Sequence, residues 1–126
     1  MGMRGVRGAI TVDRNDRQEI WDAACEMTER MLRDNGIATE EIGAVIFSMT
    51  EDLDAAFPTA GLRRLRGFDT VPLFDARQVA VAGSLAKCIR VLMLVDTEKK
   101  QKEIRHVYLR GAARLRPDLA EKSTAP

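Results

Sequence analysis

The chain has 126 residues, of which 45% are hydrophobic and 31% are charged, and its formal net charge is +1. This composition is typical of a single globular domain, and the near-neutral charge excludes an overall field that attracts nucleic acid or an acidic membrane. Cys25 and Cys88 form no CxxC pair, and the sequence holds one histidine, so neither a zinc site nor a redox motif is indicated. The N-terminus lacks the apolar stretch of a signal peptide, and no run of about 18 apolar residues exists, so we expect a cytoplasmic location.

The first predicted elements are a strand and a long helix. Residues 3–12 alternate well enough for a strand with one buried face, and Arg7 lies among small residues on the other face. From Asp16 onward the apolar residues recur at helical spacing, Asp16 and Glu19 form a capping-box pattern, and Gly36 suits the end of a helix. One amphipathic helix should therefore follow the first strand.

The remaining predicted elements alternate apolar runs with turn residues. They are, in chain order, a strand over 42–49, a short helix that begins at Pro58 and that Gly67 can end, strands over 70–75, 87–96 and 104–109, and a short helical segment over 111–115. We expect one domain over residues 1–119 and a disordered tail over 120–126. The element order predicts an α+β fold in which a mixed β-sheet carries its helices on one face.

The predicted strand over 87–96 contains the most informative residue, Arg90. Both faces of this strand are otherwise apolar, so we expect it to be covered on both sides. A guanidinium is not buried without a partner, because its desolvation is strongly unfavourable. Two interpretations remain open at this point: an internal ion pair with an Asp or Glu, and a pocket for an anionic ligand.

Other polar residues bear on that choice. Arg7, among small neighbours, and Arg116, directly before a proline, favour the pocket, although either residue alone would indicate a solvated charge. Tyr108 could donate a hydrogen bond at the polar end of such a pocket, or it could simply pack at a strand end. Arg63 lies on the short helix, and its pattern alone predicts a residue on the solvated face of that helix. His106 is not paired with a nucleophile, so we assign it no catalytic role.

Other kinds of chemistry find little support in the sequence. No serine or cysteine has the setting of a nucleophile, and no glycine-rich phosphate loop lies between a strand and a helix. The segments RGVRG and RRLRG resemble RNA-binding fragments, but no aromatic residues are interleaved with them. A nucleic-acid module is therefore the weakest hypothesis.

Four segments together resemble one known family. MRGVRGAITV, TEDLDAAFP, VAGSLAKCIRV and RHVYLRGAARLRPDL are similar to AroH-class chorismate mutases, in register over about residues 3–119. The resemblance implies an isomerase of the shikimate pathway that converts chorismate to prephenate for phenylalanine and tyrosine synthesis. The Claisen rearrangement that it implies needs no cofactor, acid, base or nucleophile. It also implies a homotrimer with a barrel-like core and with active sites in clefts between neighbouring subunits.

The resemblance implies roles for particular residues. Arg90 would face the ether oxygen, where negative charge builds as the C–O bond breaks, and Arg7 and Tyr108 would hold the enolpyruvyl carboxylate. Arginine suits this task because its planar fork binds carboxylates in a fixed geometry. The residues implied to bind substrate are Arg7, Gln78, Arg90, Tyr108, Leu115 and Arg116 on one side of each cleft, and Phe57 and Arg63 from the adjacent chain.

Three positions depart from the usual pattern of this family. Gln78 stands where a glutamate usually accepts from the substrate hydroxyl, Asp75 stands where a cysteine is usual, and Ala60 replaces a frequent lysine. We expect Asp75 to supply the carboxylate that Gln78 lacks, although an aspartate after a short strand can equally be a solvated turn residue. Loss of turnover is the competing hypothesis, in which the chain is a non-catalytic trimer that binds a small dicarboxylate.

Overall fold

The computed structural model describes residues 2–115. Within this range the main elements are β1 (Gly2–Thr11), α1 (Arg17–Asn35), β2 (Ile42–Met49), α2 (Pro58–Leu62), β3 (Leu73–Arg77), β4 (Cys88–Thr97) and β5 (Val107–Leu109). Short 3-10 segments lie at Thr39–Glu41, Gln101–Glu103 and Arg110–Arg114. None of the helices in this range is long and apolar enough to cross a membrane. The predicted tail over 120–126 lies outside the described residues.

The strands form one mixed sheet in the order β3-β2-β4-β1-β5. β4 runs antiparallel to both β1 and β2, whereas β5 is parallel to β1 and β3 is parallel to β2. α1 packs on β1 and β5 and against α2, and α2 also contacts β3. The predicted α+β fold, a mixed sheet with a helix layer on one face, is confirmed.

The hydrophobic core lies between the helix layer and one face of the sheet. Phe47 of β2 and Met27 of α1 are fully buried within it. α1 approaches the sheet closely at Gly8, where an added Cβ would lie 2.9 Å from both Met31 Sδ and Val91 Cγ1. The second glycine of the RGVRG segment therefore has a packing role.

The ends of α1 agree with the prediction from local sequence. The Asp16 carboxylate accepts a hydrogen bond from the Glu19 N–H at 3.0 Å, which satisfies one free donor of the first turn. Gly36 follows the last turn with φ 61°, a left-handed conformation that glycine adopts without strain.

Three predicted elements have other bounds in the structure: the strand predicted over 70–75 lies at Leu73–Arg77, and β5 and α2 are shorter. β5 covers only Val107–Leu109, because the side chain of Asn35 occupies both backbone groups of Arg105. The Asn35 amide donates to the Arg105 carbonyl at 2.9 Å, and its oxygen accepts from the Arg105 N–H at 2.7 Å. α2 ends at Leu62, and turns lead from there to Gly67, whose φ is 89°.

We call the face of the sheet away from α1 and α2 the open face. It carries the apolar side chains of Ile46, Phe74, Leu92 and Leu94. Leu92 is 38% exposed and Phe74 is 63% exposed. The expectation that the Arg90 strand is covered on both sides is therefore wrong for the single chain, because both helices lie on the other face.

Candidate active site

Arg90 and Tyr108, two of the predicted site residues, lie on the open face on either side of Ala9. In the sheet register Arg90 of β4 is opposite Ala9 of β1, and Ala9 is opposite Tyr108 of β5. Side chains opposite one another across strands point to the same side of a sheet, and two strand spacings amount to roughly 9–10 Å. Ala9, with a single methyl group, adds little bulk between the guanidinium and the phenol.

Arg7 shares the open face with these two residues. It pairs with Leu92 of β4, and its side chain is exposed. The backbone N–H of Arg7 donates to Nδ1 of His106 at 2.9 Å, so His106 makes a structural contact with β1. The fold thus brings Arg7, Arg90 and Tyr108 together on one face of the sheet.

The site contains buried polar atoms without a partner. Among the described residues, Nε of Arg90, the hydroxyl of Tyr108 and Oε1 of Gln78 are buried and have no hydrogen-bond partner. No Asp or Glu within residues 2–115 forms an ion pair with Arg90. Leaving a buried polar group unpaired costs about 1–3 kcal/mol, so such groups are rare without a reason. Of the two interpretations of Arg90, the internal ion pair finds no support in this range, which favours the pocket for an anionic ligand.

Cys88 is a buried neighbour of Arg90 on β4. Burial raises the pKa of the Cys88 thiol, and the positive charge of Arg90 opposes this shift only in part. A side-chain hydrogen bond with Arg90 also lowers the pKa of this thiol without offsetting the effect of burial. The sequence analysis gave Cys88 no role in the site, although a spacing of two residues in a strand places both side chains on the same face.

Leu115 lies beside this part of the site. It packs against a small cluster of buried residues on the open face, made up of Ala9, Cys88, Tyr108 and Ala112. The backbone N–H of Leu115 donates to the Ala112 carbonyl at 3.0 Å, at the end of the 3-10 segment that packs on β1. Arg116, the next predicted site residue, lies outside the described range.

Gln78 follows β3 at the edge of a cavity. Its backbone N–H donates to the Met49 carbonyl at 3.3 Å, which continues the pairing of β3 with β2. The cavity has a volume of about 290 Å³ and is lined by Gln78 together with residues 50–52, 79–82 and 84–86. The unpaired Oε1 of Gln78 can accept a hydrogen bond from a hydroxyl, as the predicted role of this residue requires.

The structure places Asp75 away from Arg90 of the same chain. Asp75 is opposite Phe47 in the sheet, so its side chain lies on the helix-covered side, across the sheet from Arg90. Its carboxylate accepts hydrogen bonds from the hydroxyl of Thr59 and from the Thr59 N–H, the latter at 3.4 Å. These bonds hold the first turn of α2, and Asp75 also lines a cavity of about 310 Å³ together with Phe57.

Phe57 and Arg63 flank α2 on the helix side of the sheet. Phe57 is 69% exposed, and its carbonyl accepts a hydrogen bond from the indole N–H of Trp21 at 3.1 Å. Arg63 follows the last residue of α2 and is exposed. Because α2 packs against α1 and β3, neither side chain joins Arg90 on the open face of its own chain.

Comparisons with known proteins agree with the anion-binding pocket that the site geometry favours. A family described as Chorismate mutase type I matches residues 3–119. Chorismate mutase AroH of Thermus thermophilus is 52% identical over 118 residues, which are 93% of this chain and 96% of that protein. Chorismate mutase AroH of Bacillus subtilis (strain 168) is 41% identical over 120 residues, 95% of this chain and 94% of that protein.

The solved structures include a chorismate mutase from Clostridium thermocellum that has the same fold. It matches with a TM-score of 0.86 and 41% sequence identity, and the match covers 88% of this chain and 98% of that one. The sequence matches span nearly all of the chain. The chain therefore belongs to the type I chorismate mutase family.

Proposed function

We propose that this enzyme rearranges chorismate to prephenate in the cytoplasm, without a cofactor, in clefts between the subunits of a homotrimer. The observation that carries the proposal is the buried Nε of Arg90, which has no partner within residues 2–115. This donor shares the open face with Arg7 and Tyr108. A fixed, unpaired donor on an anion-binding face is what this rearrangement requires, and its product serves phenylalanine and tyrosine synthesis.

Arg90 acts on the transition state in this proposal. The ether C–O bond breaks while a C–C bond forms, and negative charge builds on the ether oxygen. A donor that is already oriented toward this oxygen binds the transition state more strongly than the substrate, which lowers the barrier. The buried position of Nε strengthens the interaction, because little water competes for the oxygen.

Arg7, Tyr108 and Gln78 hold the substrate in its reactive shape. Chorismate carries two carboxylates and reacts from a compact diaxial conformer, so binding groups at both ends favour that conformer. Arg7 and the unpaired hydroxyl of Tyr108 bind the enolpyruvyl carboxylate. The unpaired Oε1 of Gln78 accepts from the substrate hydroxyl. Leu115 packs beside Tyr108 on this side of the cleft, and the resemblance gives Arg116 a role in substrate binding.

The open face supports the homotrimer. Leu92 and Phe74 leave apolar surface exposed there, and a contiguous apolar patch of this kind marks an interaction surface. Contact between subunits through these faces would cover β4 on its second side and form a barrel-like core. Phe57 and Arg63 lie on the other side of their own sheet, so a neighbouring subunit is the source from which they reach Arg90.

A turnover assay with product identification tests the proposal. The loss of chorismate absorbance is followed with purified protein in buffer that contains EDTA and no added cofactor. We expect chorismate to disappear faster than in the buffer blank, with prephenate as the product. A protein that binds chorismate but turns it over no faster than the blank would contradict the proposal and support a dicarboxylate-binding protein.

A further inference from the structure

The loop after β2 makes hydrogen bonds to the two residues that lead into the Arg90 strand. The carboxylate of Asp52 accepts from the Lys87 N–H through both oxygens, at 3.2 and 3.0 Å. The hydroxyl of Thr50 accepts from the Cys88 N–H at 3.0 Å and donates to the Asp52 carboxylate. The Thr50 N–H also donates to the Cys88 carbonyl at 3.0 Å. Thr50 and Asp52 belong to the TEDLDAAFP segment, in which the proposed mechanism gives a role only to Phe57.

Lys87 has an unusual backbone at this point. Its φ is 48°, and among the non-glycine residues of the described range only Arg110 shares a positive φ. The left-handed region is unfavourable for a lysine, and such strain persists only where the surroundings hold it in place. Two contacts hold Lys87 in this conformation. The Asp52 carboxylate accepts from the Lys87 N–H, and the Lys87 carbonyl accepts from the Val12 N–H at 3.0 Å.

The turn at Lys87 fixes where β4 begins, and Arg90 follows three residues later. Cys88 and Arg90 point to the same face, so the backbone that Thr50 and Asp52 hold leads directly to Arg90. The negative charge of Asp52 also lies close enough to Cys88 to raise the pKa of its thiol, a small addition to the effect of burial.

We propose that Asp52 and Thr50 are positioning residues for Arg90: their hydrogen bonds to Lys87 and Cys88 hold a strained turn that sets the place of the guanidinium. The inference rests on the proposed role of Arg90 at the ether oxygen. Neither side chain touches the substrate in this account. They act through the backbone of Lys87 and Cys88, where β4 begins.

The first test compares single variants. Asp52→Ala should lower kcat by about 10- to 100-fold, because a displacement near 1 Å of a catalytic group can cost 10²-fold. KM should change less, because Arg7 and Tyr108 still bind the carboxylate. Glu51→Ala is the control, since it removes another exposed carboxylate from the same loop, and the side-chain hydrogen bonds from this loop to Lys87 and Cys88 come from Asp52 and Thr50. Thr50→Ser, which keeps the hydroxyl, should retain most of the kcat that Thr50→Val loses.

The second test separates positioning from simple stabilisation. In an Arg90→Lys background, Asp52→Ala should have a much smaller effect on kcat, because the group that it positions is no longer present. Its effect on the melting temperature should be the same in both backgrounds. Lys87→Gly, which allows the positive φ without strain, should restore part of the kcat lost in Asp52→Ala.

The outcomes distinguish this inference from the proposed function. If Asp52→Ala lowers kcat no more than Glu51→Ala does, or by the same factor with and without Arg90, the positioning role is wrong. If Arg90→Ala is itself as active as the wild type, the proposed role of Arg90 fails instead. A smaller effect of Asp52→Ala in the Arg90→Lys background, together with rescue by Lys87→Gly, supports the inference.

Discussion

At the scale of single residues, the site is defined by polar atoms that the chain leaves unpaired. Nε of Arg90, the hydroxyl of Tyr108 and Oε1 of Gln78 are buried without a partner in the described range. Each is a group that folding alone would tend to pair, because an unsatisfied buried polar atom is destabilising. Arg90 and Tyr108 share the open face, and their unpaired atoms are explained if a ligand supplies the missing partners.

Asp75 is expected to contribute to stability more than to substrate binding. Asp75→Ala removes two hydrogen bonds to Thr59 and should lower the free energy of unfolding by about 1–2 kcal/mol. Asp75→Asn should lose less, because the amide can bond to Thr59 in the opposite sense. Urea denaturation measures both changes, and Thr59→Val is the matched control. Unchanged stability in Asp75→Ala would contradict this assignment.

Gln78 is expected to affect substrate binding more than Asp75 does. Gln78→Ala removes the acceptor of the substrate hydroxyl, so kcat/KM should fall by roughly 2- to 10-fold, the range of one neutral hydrogen bond. Steady-state kinetics of Gln78→Ala and Asp75→Asn at neutral pH provide the comparison. A larger fall in Asp75→Asn would restore the idea that the aspartate contacts the substrate.

At the scale of elements, close packing of α1 on the sheet depends on Gly8. Gly8→Ala should destabilise the protein by about 1–3 kcal/mol, because the new methyl group would overlap a β-branched neighbour, Val91, as well as Met31. The change is read from the denaturation midpoint. A companion variant, Gly2→Ala, has nothing near its Cβ and should be neutral. Equal stability of the two variants would mean that α1 shifts without strain.

The sequence predicts best those parts of the fold that depend on contacts between residues close together in the chain. The boundaries of α1 depend on Asp16 and Gly36, which act within one turn of the helix, so the sequence reveals them. The short β5 depends on Asn35, which bonds to Arg105 from 70 positions away, and no local pattern contains that contact. Long-range contacts of this kind limit what the sequence can predict.

The site shows the same division between local and long-range signals. Arg90 was identifiable because a charged residue in an apolar strand is anomalous in the sequence alone. The face of Asp75 was not, because it follows from the pairing of β3 with Phe47 of β2, and a shift of one residue would reverse it. Phe57 and Arg63 were predicted only from the resemblance to a family, because the residue pattern gave no signal of a site at either position.

At the scale of the whole molecule, assembly is expected to complete the active site. Arg63→Ala and Arg90→Ala chains, refolded together, should regain part of the activity that each lacks alone, because some clefts then receive both wild-type residues. Light scattering should report a trimer for the wild type and for both variants. A fully active monomer would contradict the assignment of Phe57 and Arg63 to the adjacent chain.

The kcat of Arg90→Lys tests the central claim most directly. Lysine keeps the positive charge but lacks the planar fork and the Nε donor, so it cannot reproduce a preorganised bond to the ether oxygen. We expect kcat to fall by at least about 10²-fold, as for the loss of one preorganised donor in a site that excludes water. The measurement is a chorismate progress curve at saturating substrate, with the trimer verified in the same sample. A kcat near that of the wild type would show that Arg90 does not stabilise the transition state.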